Sequence, residues 1–274
     1  MKCKPLVVSI KGTSLLKSEK VLLSKEKPWG IILFERNIKS FNQVKKLTSS
    51  IKKLTKNNQF PILIDEEGKN VTRLAKLINH NVTANYFGNL YKKNRFFALK
   101  LYKQYIYNLS KILKDLGINI NTIPVLDVLR KNTNKIIGKR SFSKNKKIIK
   151  ELGAYTIKLL NKSKIAGVIK HIPGHGCASS DSHKKMPKVI LNLKTLNNLD
   201  FYPFKKTKAK FAMTAHILFS KIDNKNVVTF SKKIIRDIIR KKIGFNGILL
   251  SDDISMKALK YDLVTNAKKS LKAG

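Results

Sequence analysis

Acidic residues are scarce in this chain. Its 274 residues carry 16 Asp and Glu against 58 Lys and Arg, a formal charge of +42. Cysteine is nearly absent: Cys3 and Cys177 are the only two, which excludes a disulfide scaffold and points to a reducing compartment. Long apolar runs are missing as well, and no stretch approaches the roughly 20 residues that a membrane-spanning helix needs. The basic start at Met1-Lys2 leads into a short run, Leu6–Ile10, followed by Lys11-Gly12 without a cleavage-like segment. That pattern reads as a first strand and not a signal peptide, and cytoplasmic localisation follows as the expectation. Neither a G-x-G-x-x-G fingerprint nor a P-loop is present, which removes the usual nucleotide-binding motifs. Hydrophobic residues make up 42% of the chain, enough for a core and too many for a disordered polymer.

Among the basic residues arginine is also rare. Only Arg36, Arg73, Arg95, Arg130, Arg140, Arg236 and Arg240 occur, and the lysines are spread along helix-like stretches. Sequence-reading proteins favour Arg for base edges and bidentate phosphate contacts. The charge therefore reads as a solvated Lys-rich surface, with no specific nucleic-acid partner and at most weak, salt-sensitive binding to polyanions.

Short apolar runs alternate with amphipathic segments. Leu6–Ile10, Gly30–Phe34, Pro61–Asp65, Ile118–Pro124, Ala166–His171, Phe211–His216 and Gly247–Asp252 read as strands. Phe41–Leu54, Arg95–Leu116, Lys146–Lys162 and Ser231–Lys242 read as helices, the last with a cap candidate at Thr229-Phe230-Ser231. Such alternation means parallel strands and an α/β fold. Asp65, His171, His216 and Asp252 each fall at the C-terminal end of a different strand. Polar residues scattered over several strand ends suit the mouth of a (β/α)8 barrel better than the single switch point of an open sheet. The count reaches seven strands, so the expectation is a TIM-type barrel lacking its last β/α unit, a single domain over 1–274 that is C-terminally truncated.

The chemistry concentrates in two places. Lys170 to His183 holds three of the five histidines, and Pro173, Gly174, Gly176 and Pro187 bar a regular helix there. Within it, Asp181 and His183 are spaced so that, on extended backbone, the carboxylate can orient the imidazole and raise its basicity, which suits general acid/base work. The same donors, His171, His175, Asp181 and His183, admit a metal-site reading, but their spacing matches no tight ligand motif. In the second place, the strand Leu249-Leu250-Ser251 runs into Asp252 and Asp253. Asp252 is the candidate nucleophile, while Asp253 is read as the cap of a following helix. Asp65 and, eight residues on, Arg73 are candidates for contacting a polar ligand.

These segments together resemble the family 3 glycoside hydrolases, in particular the bacterial β-N-acetylglucosaminidases of cell-wall recycling. The resemblance rests on Gly30–Asn37, Ile64–Gly68, Pro124–Val128, Ile137–Phe142, Lys170–His183, Met213–His216 and Gly244–Met256, in order along nearly the whole chain. It implies Asp252 as nucleophile, His183 as general acid/base and Asp181 as its dyad partner. It also implies Asp65, Arg73, Arg140, Lys170 and His171 as sugar-binding residues. The implied reaction is retaining hydrolysis of terminal β-linked N-acetylglucosamine from a saccharide or muropeptide in peptidoglycan recycling, by a monomer without metal or organic cofactor. The chain departs from the family pattern at Glu66 (usually Gln), Lys69 (usually Gly), Lys139 (usually Asp), and at Ser9 and Lys11, where acidic residues are frequent. A phosphorylase using the same groups and an inactive, basic RNA- or partner-binding remnant are the competing readings.

Overall fold

The computed structural model describes residues 3–178 and 186–274. The chain runs β1 (Lys4–Ser9), α1 (Lys17–Val21), β2 (Pro28–Leu33), α2 (Phe41–Thr55) and β3 (Ile62–Ile64). It continues through α3 (Ala84–Lys93), α4 (Arg95–Asp115), β4 (Ile120–Asn121), α5 (Lys146–Lys162) and β5 (Ala166–Ile172). Then come β6 (Lys188–Val189), α6 (Leu193–Asn198), β7 (Phe211–Thr214), β8 (Leu218–Phe219), a π-wound helix Ile234–Ile243, β9 (Ile248–Ser251) and α7 (Leu263–Ala273). Seven strands form one sheet in the order β1-β2-β3-β4-β5-β7-β9, and every pair in it is parallel. The short strands β6 and β8 pair separately at one end.

Side-chain alternation shows that the sheet is curled. In β3, Ile62 and Ile64 join the large core beneath the helices, whereas Leu63 between them faces the other way. Leu63 meets Ile120, Val168 and Met213 in a second cluster, against which Val7 of edge strand β1 and Leu250 of edge strand β9 also pack. Opposite edges of a flat seven-stranded sheet would be too far apart to share such a cluster. Rolling the sheet brings them together, as in the filled interior of a β/α barrel. The sheet is thus the seven-stranded barrel wall expected from the sequence.

The helices follow their patterns closely. Ser40 caps α2, its hydroxyl accepting from Gln43 N, and Val44, Leu47, Thr48 and Ile51 bury one face at the i, i+3, i+4, i+7 spacing. Asn145 caps α5 in the same way. The Ser231 hydroxyl accepts from Ile234 N at 3.1 Å, so it caps as expected; the next two residues are α-helical and the winding is π from Ile234. Asp253 departs from its expectation. Its Oδ1 accepts from Ser255 N and the Ser255 hydroxyl, which closes a turn, and α7 is capped by Asp262 instead.

Helix α3 fits against the loop before α5 only because position 88 is glycine. A Cβ there would overlap the carbonyl of Phe142. Gly88→Ala is therefore expected to destabilise the protein by about 1–3 kcal/mol, as overpacking does. The denaturant midpoint of the variant measures this, and an unchanged midpoint would mean that the contact is slack.

Candidate active site

The mouth of the barrel is built from the residues that leave the strands at their C-terminal ends. Asp65 follows β3, Thr122 follows β4, Lys170 and His171 lie in β5, His216 follows β7 and Asp252 follows β9. The pairing of β5 with β7 shifts register between Lys170 and Ile172. At such an irregularity the alternation of faces breaks down, and the consecutive side chains Lys170 and His171 both join one polar cluster.

Lys170 is the centre of that cluster and only 2% exposed. Its Nζ donates to Thr122 Oγ1 at 2.8 Å, reaches Asp65 Oδ1 at 3.2 Å and pairs with Glu67 Oε1 at 2.5 Å. All three ammonium protons are thereby used. Arg140 forms a two-pronged pair with Glu67, Nε to Oε2 at 2.7 Å and Nη2 to Oε1 at 2.8 Å. Its Nη2 also lies 3.5 Å from His171 Nε2. Arg73 Nη2 donates to Asp65 Oδ2 at 3.2 Å, and Thr122 donates to Asp65 Oδ1.

His171 is oriented from behind. Its Nδ1 lies 2.7 Å from Asp127 Oδ2, while Asp127 Oδ1 accepts from the backbone N–H groups of His171 (3.3 Å) and His175 (2.6 Å). Nδ1 is thus the protonated nitrogen, and Nε2 is left beside the Arg140 guanidinium. His216 is held likewise, with Nδ1 on Thr229 Oγ1 at 2.7 Å and Nε2 on the carbonyl of Asp253 at 3.0 Å.

The electrostatics oppose burial. Burial alone would push Asp65 up, but Lys170, Thr122 and Arg73 hold its carboxyl far below the ordinary carboxylate range. Glu67 is likewise pushed up by burial, yet Arg140 and Lys170 bring it down to about 2. For Lys170 burial acts downward and is overcome by Glu67 and Asp65, so the ammonium is held charged. Asp252 stays below its ordinary value despite burial, because His171, His216, the Asp253 N–H at 2.8 Å and Lys170 favour its anion. His175, buried and next to His171, drops to about 4 and stays neutral near pH 7.

The structure thus gathers Asp65, Arg73, Arg140, Lys170, His171 and Asp252 at one barrel mouth. Asp181 and His183 lie outside the described residues. Glu67, Thr122 and Asp127 complete the arrangement and were not foreseen as site residues. The signal for Glu67 is its place two residues after Asp65 and directly before Gly68, which has φ +131°. Asp127 carries no marker of its own, because its partner His171 is 44 positions away.

Several known proteins share this architecture. The model of the glycosyl hydrolase family 3 N-terminal domain matches residues 6–274. The β-hexosaminidase of Nitrosomonas eutropha is 33% identical over 275 residues, covering 98% of this chain and 78% of that protein. The β-hexosaminidase of Neisseria meningitidis is 32% identical over 257 residues, covering 92% and 70%. The crystal structure of NagZ from Neisseria gonorrhoeae in complex with N-trifluoroacetyl-D-glucosamine superposes with a TM-score of 0.90 at 31% identity, covering 99% of this chain and 79% of that one.

Glu67 ties acid stability to the site. Its folded value of about 2 lies below its ordinary value of 4.5, so its contribution is complete above about pH 4.5 and is lost as pH falls towards 2. Glu67→Gln should be less stable at pH 7 by on the order of 3–5 kcal/mol, because buried Arg140 loses its carboxylate and Lys170 loses one of its two. It should also lose stability less steeply on acidification, with Asp65, Asp127 and Asp252 keeping part of the slope. Thermal melts across the acid range compare the two slopes, and parallel curves would contradict the assignment.

Proposed function

The chain belongs to glycosyl hydrolase family 3, and from that membership we propose that it removes terminal β-linked N-acetylglucosamine from saccharides with retention of configuration. The observation that carries this reading is the place of Asp252 directly after β9, at the barrel mouth reached also by Asp65, Lys170 and His171, where His171, His216 and Lys170 favour its anion. A carboxylate so placed serves as nucleophile when a sugar fills the mouth.

In the first step an Asp252 oxygen bonds to the anomeric carbon as the bond to the leaving oxygen breaks, and His183 gives that oxygen its proton. In the second step His183 takes a proton from water, the water oxygen bonds to the anomeric carbon, and Asp252 is released. In this proposal Asp181 is the dyad partner of His183. An imidazole thus does the work that a second carboxylate does in most retaining glycosidases. Asp65 Oδ2, which accepts only from Arg73, has acceptor capacity left for a sugar hydroxyl. Arg73 and Arg140 supply N–H groups around it and His171 offers Nε2 as an acceptor, while Lys170, its protons taken by Thr122, Asp65 and Glu67, holds the carboxylates at the sugar's position. The same proposal includes muropeptides of peptidoglycan recycling as the natural substrates. It also includes action as a monomer in the cytoplasm, consistent with the two free cysteines. Among the described residues no helix is long and apolar enough to cross a membrane.

Release of nitrophenol from p-nitrophenyl N-acetyl-β-glucosaminide tests the reading. Asp252→Ala should lower turnover by about a thousandfold or more, and wild-type rates in that variant would refute the nucleophile. His183→Ala should slow poor leaving groups most, by roughly 10²–10⁴-fold, as loss of a general acid does. Formation of a sugar 1-phosphate on adding phosphate would change the acceptor from water to phosphate.

A further inference from the structure

The segment between β3 and α3 contains a buried polar chain that the proposed reaction leaves unused. Glu66 has no exposed surface. One of its oxygens, Oε2, accepts from the backbone N–H groups of Arg73 at 2.8 Å and Leu74 at 3.0 Å. The other, Oε1, lies 2.5 Å from His80 Nδ1. His80 Nε2 lies 2.5 Å from the Tyr105 hydroxyl on α4, and its side chain is only 5% exposed. The backbone of Glu66 is itself locked to β4, with its N–H on Asn121 Oδ1 and its carbonyl accepting from Asn121 Nδ2.

This chain joins both ends of one loop. Glu66 starts it, His80 is near its close, and Lys69 N donates to Val82 O at 2.9 Å across its neck. Arg73 sits at its turn. The Arg73 guanidinium lies 5.5 Å from the centre of the Phe34 ring, which Arg36 also covers at 4.6 Å, and reaches Asp65 from there. Neither Phe34 nor Asp65 fixes the Arg73 backbone. Glu66 does, through the N–H groups of Arg73 and its neighbour.

We propose that Glu66 and His80 are positioning residues that hold Arg73 in register with Asp65, and so set sugar affinity without touching the sugar. A carboxylate only accepts, so His80 presents Nδ1–H to it. Burial, together with Tyr102, Glu66 and Glu67, keeps Tyr105 protonated far above its ordinary value, so its hydroxyl can donate to Nε2. A glutamine at position 66 could keep both backbone bonds through its carbonyl oxygen. Its NH2 would then donate to Nδ1, and Tyr105 would accept from Nε2–H. An alanine could do none of this.

The proposal rests on the hexosaminidase reading for its kinetics but not for its geometry, so it is tested by both. Crystal structures of Glu66→Ala and Glu66→Gln should show Arg73 off Asp65 in the first and on it in the second. Arg73 still on Asp65 in Glu66→Ala would overturn the proposal even if no activity were found. Inactivity of the wild type on p-nitrophenyl N-acetyl-β-glucosaminide would count against the hydrolase reading instead. In kinetics, Glu66→Ala should raise KM about tenfold with kcat changed less than about threefold, as Arg73→Ala should, because uniform binding is what is lost. The double variant should be little worse than either single one, and Glu66→Gln should restore KM. Effects that multiply in the double variant, or a loss confined to melting temperature, would overturn it. If Glu66→Ala does not fold, His80→Ala serves in its place. It keeps the backbone bonds and should give a smaller rise in KM that is again non-additive with Arg73→Ala, whereas a multiplying effect would overturn the proposal.

Discussion

Lys170, almost without solvent contact, divides its charge between two carboxylates that emerge just after β3, and much of the barrel mouth takes its geometry from that division. Asp65 and Glu67 are separated by one residue and approach the ammonium together. Glu67 is then free to hold Arg140 with both oxygens, and Asp65 to hold Arg73. Three cations and two anions sharing contacts in a largely buried setting are costly to desolvate, and a well-packed apolar cluster would stabilise the fold as well or better. The network is therefore understood as a device of position. It fixes donors and acceptors at the barrel mouth, so that a polyhydroxylated ring can meet them without reorganising the protein.

The β5 strand delivers two of these groups from adjacent positions. In a regular strand Lys170 and His171 would face opposite sides of the sheet, and one of them would lie under the helices. The register shift against β7 removes that alternation. Asp127, buried behind His171 and receiving two backbone N–H groups, then fixes the ring in one orientation. A local irregularity in pairing and one buried carboxylate together turn a short sequence motif into a site with a defined tautomer.

This also explains what could be read from the residues and what could not. Strands such as Phe211–Thr214 and helices such as Lys146–Lys162 were legible because burial on one or both faces imposes a period on the chain. Asp65 and Asp252 were legible because each carboxylate directly follows an apolar run. Asp127 and Thr122 were not, since their roles come from partners 44 and 48 positions away, and spacing along the chain carries no trace of such pairing. The role of Asp253 was misread because a capping residue looks the same before a turn as before a helix. The short helix α3 escaped notice because it packs by way of Gly88, and a missing side chain leaves no apolar signal.

The scarcity of acid has a structural counterpart. Of the 16 acidic residues, Asp65, Glu66, Glu67, Asp127 and Asp200 are buried or nearly so, four of them within or directly behind the barrel mouth. Each pairs there with a Lys, Arg or His, so few of the acids are left to offset the lysines of the outer surface. The net charge of +42 therefore describes the outside of the molecule and not its chemistry. Selection on surface composition could vary the lysines widely without disturbing the mouth, because screening by salt limits the reach of exposed charges to about 8–10 Å. The buried carboxylates have no such freedom. Removing Asp65 or Glu67 takes a carboxylate from the buried Lys170 ammonium, so these two acids are found where a neutral residue would not serve.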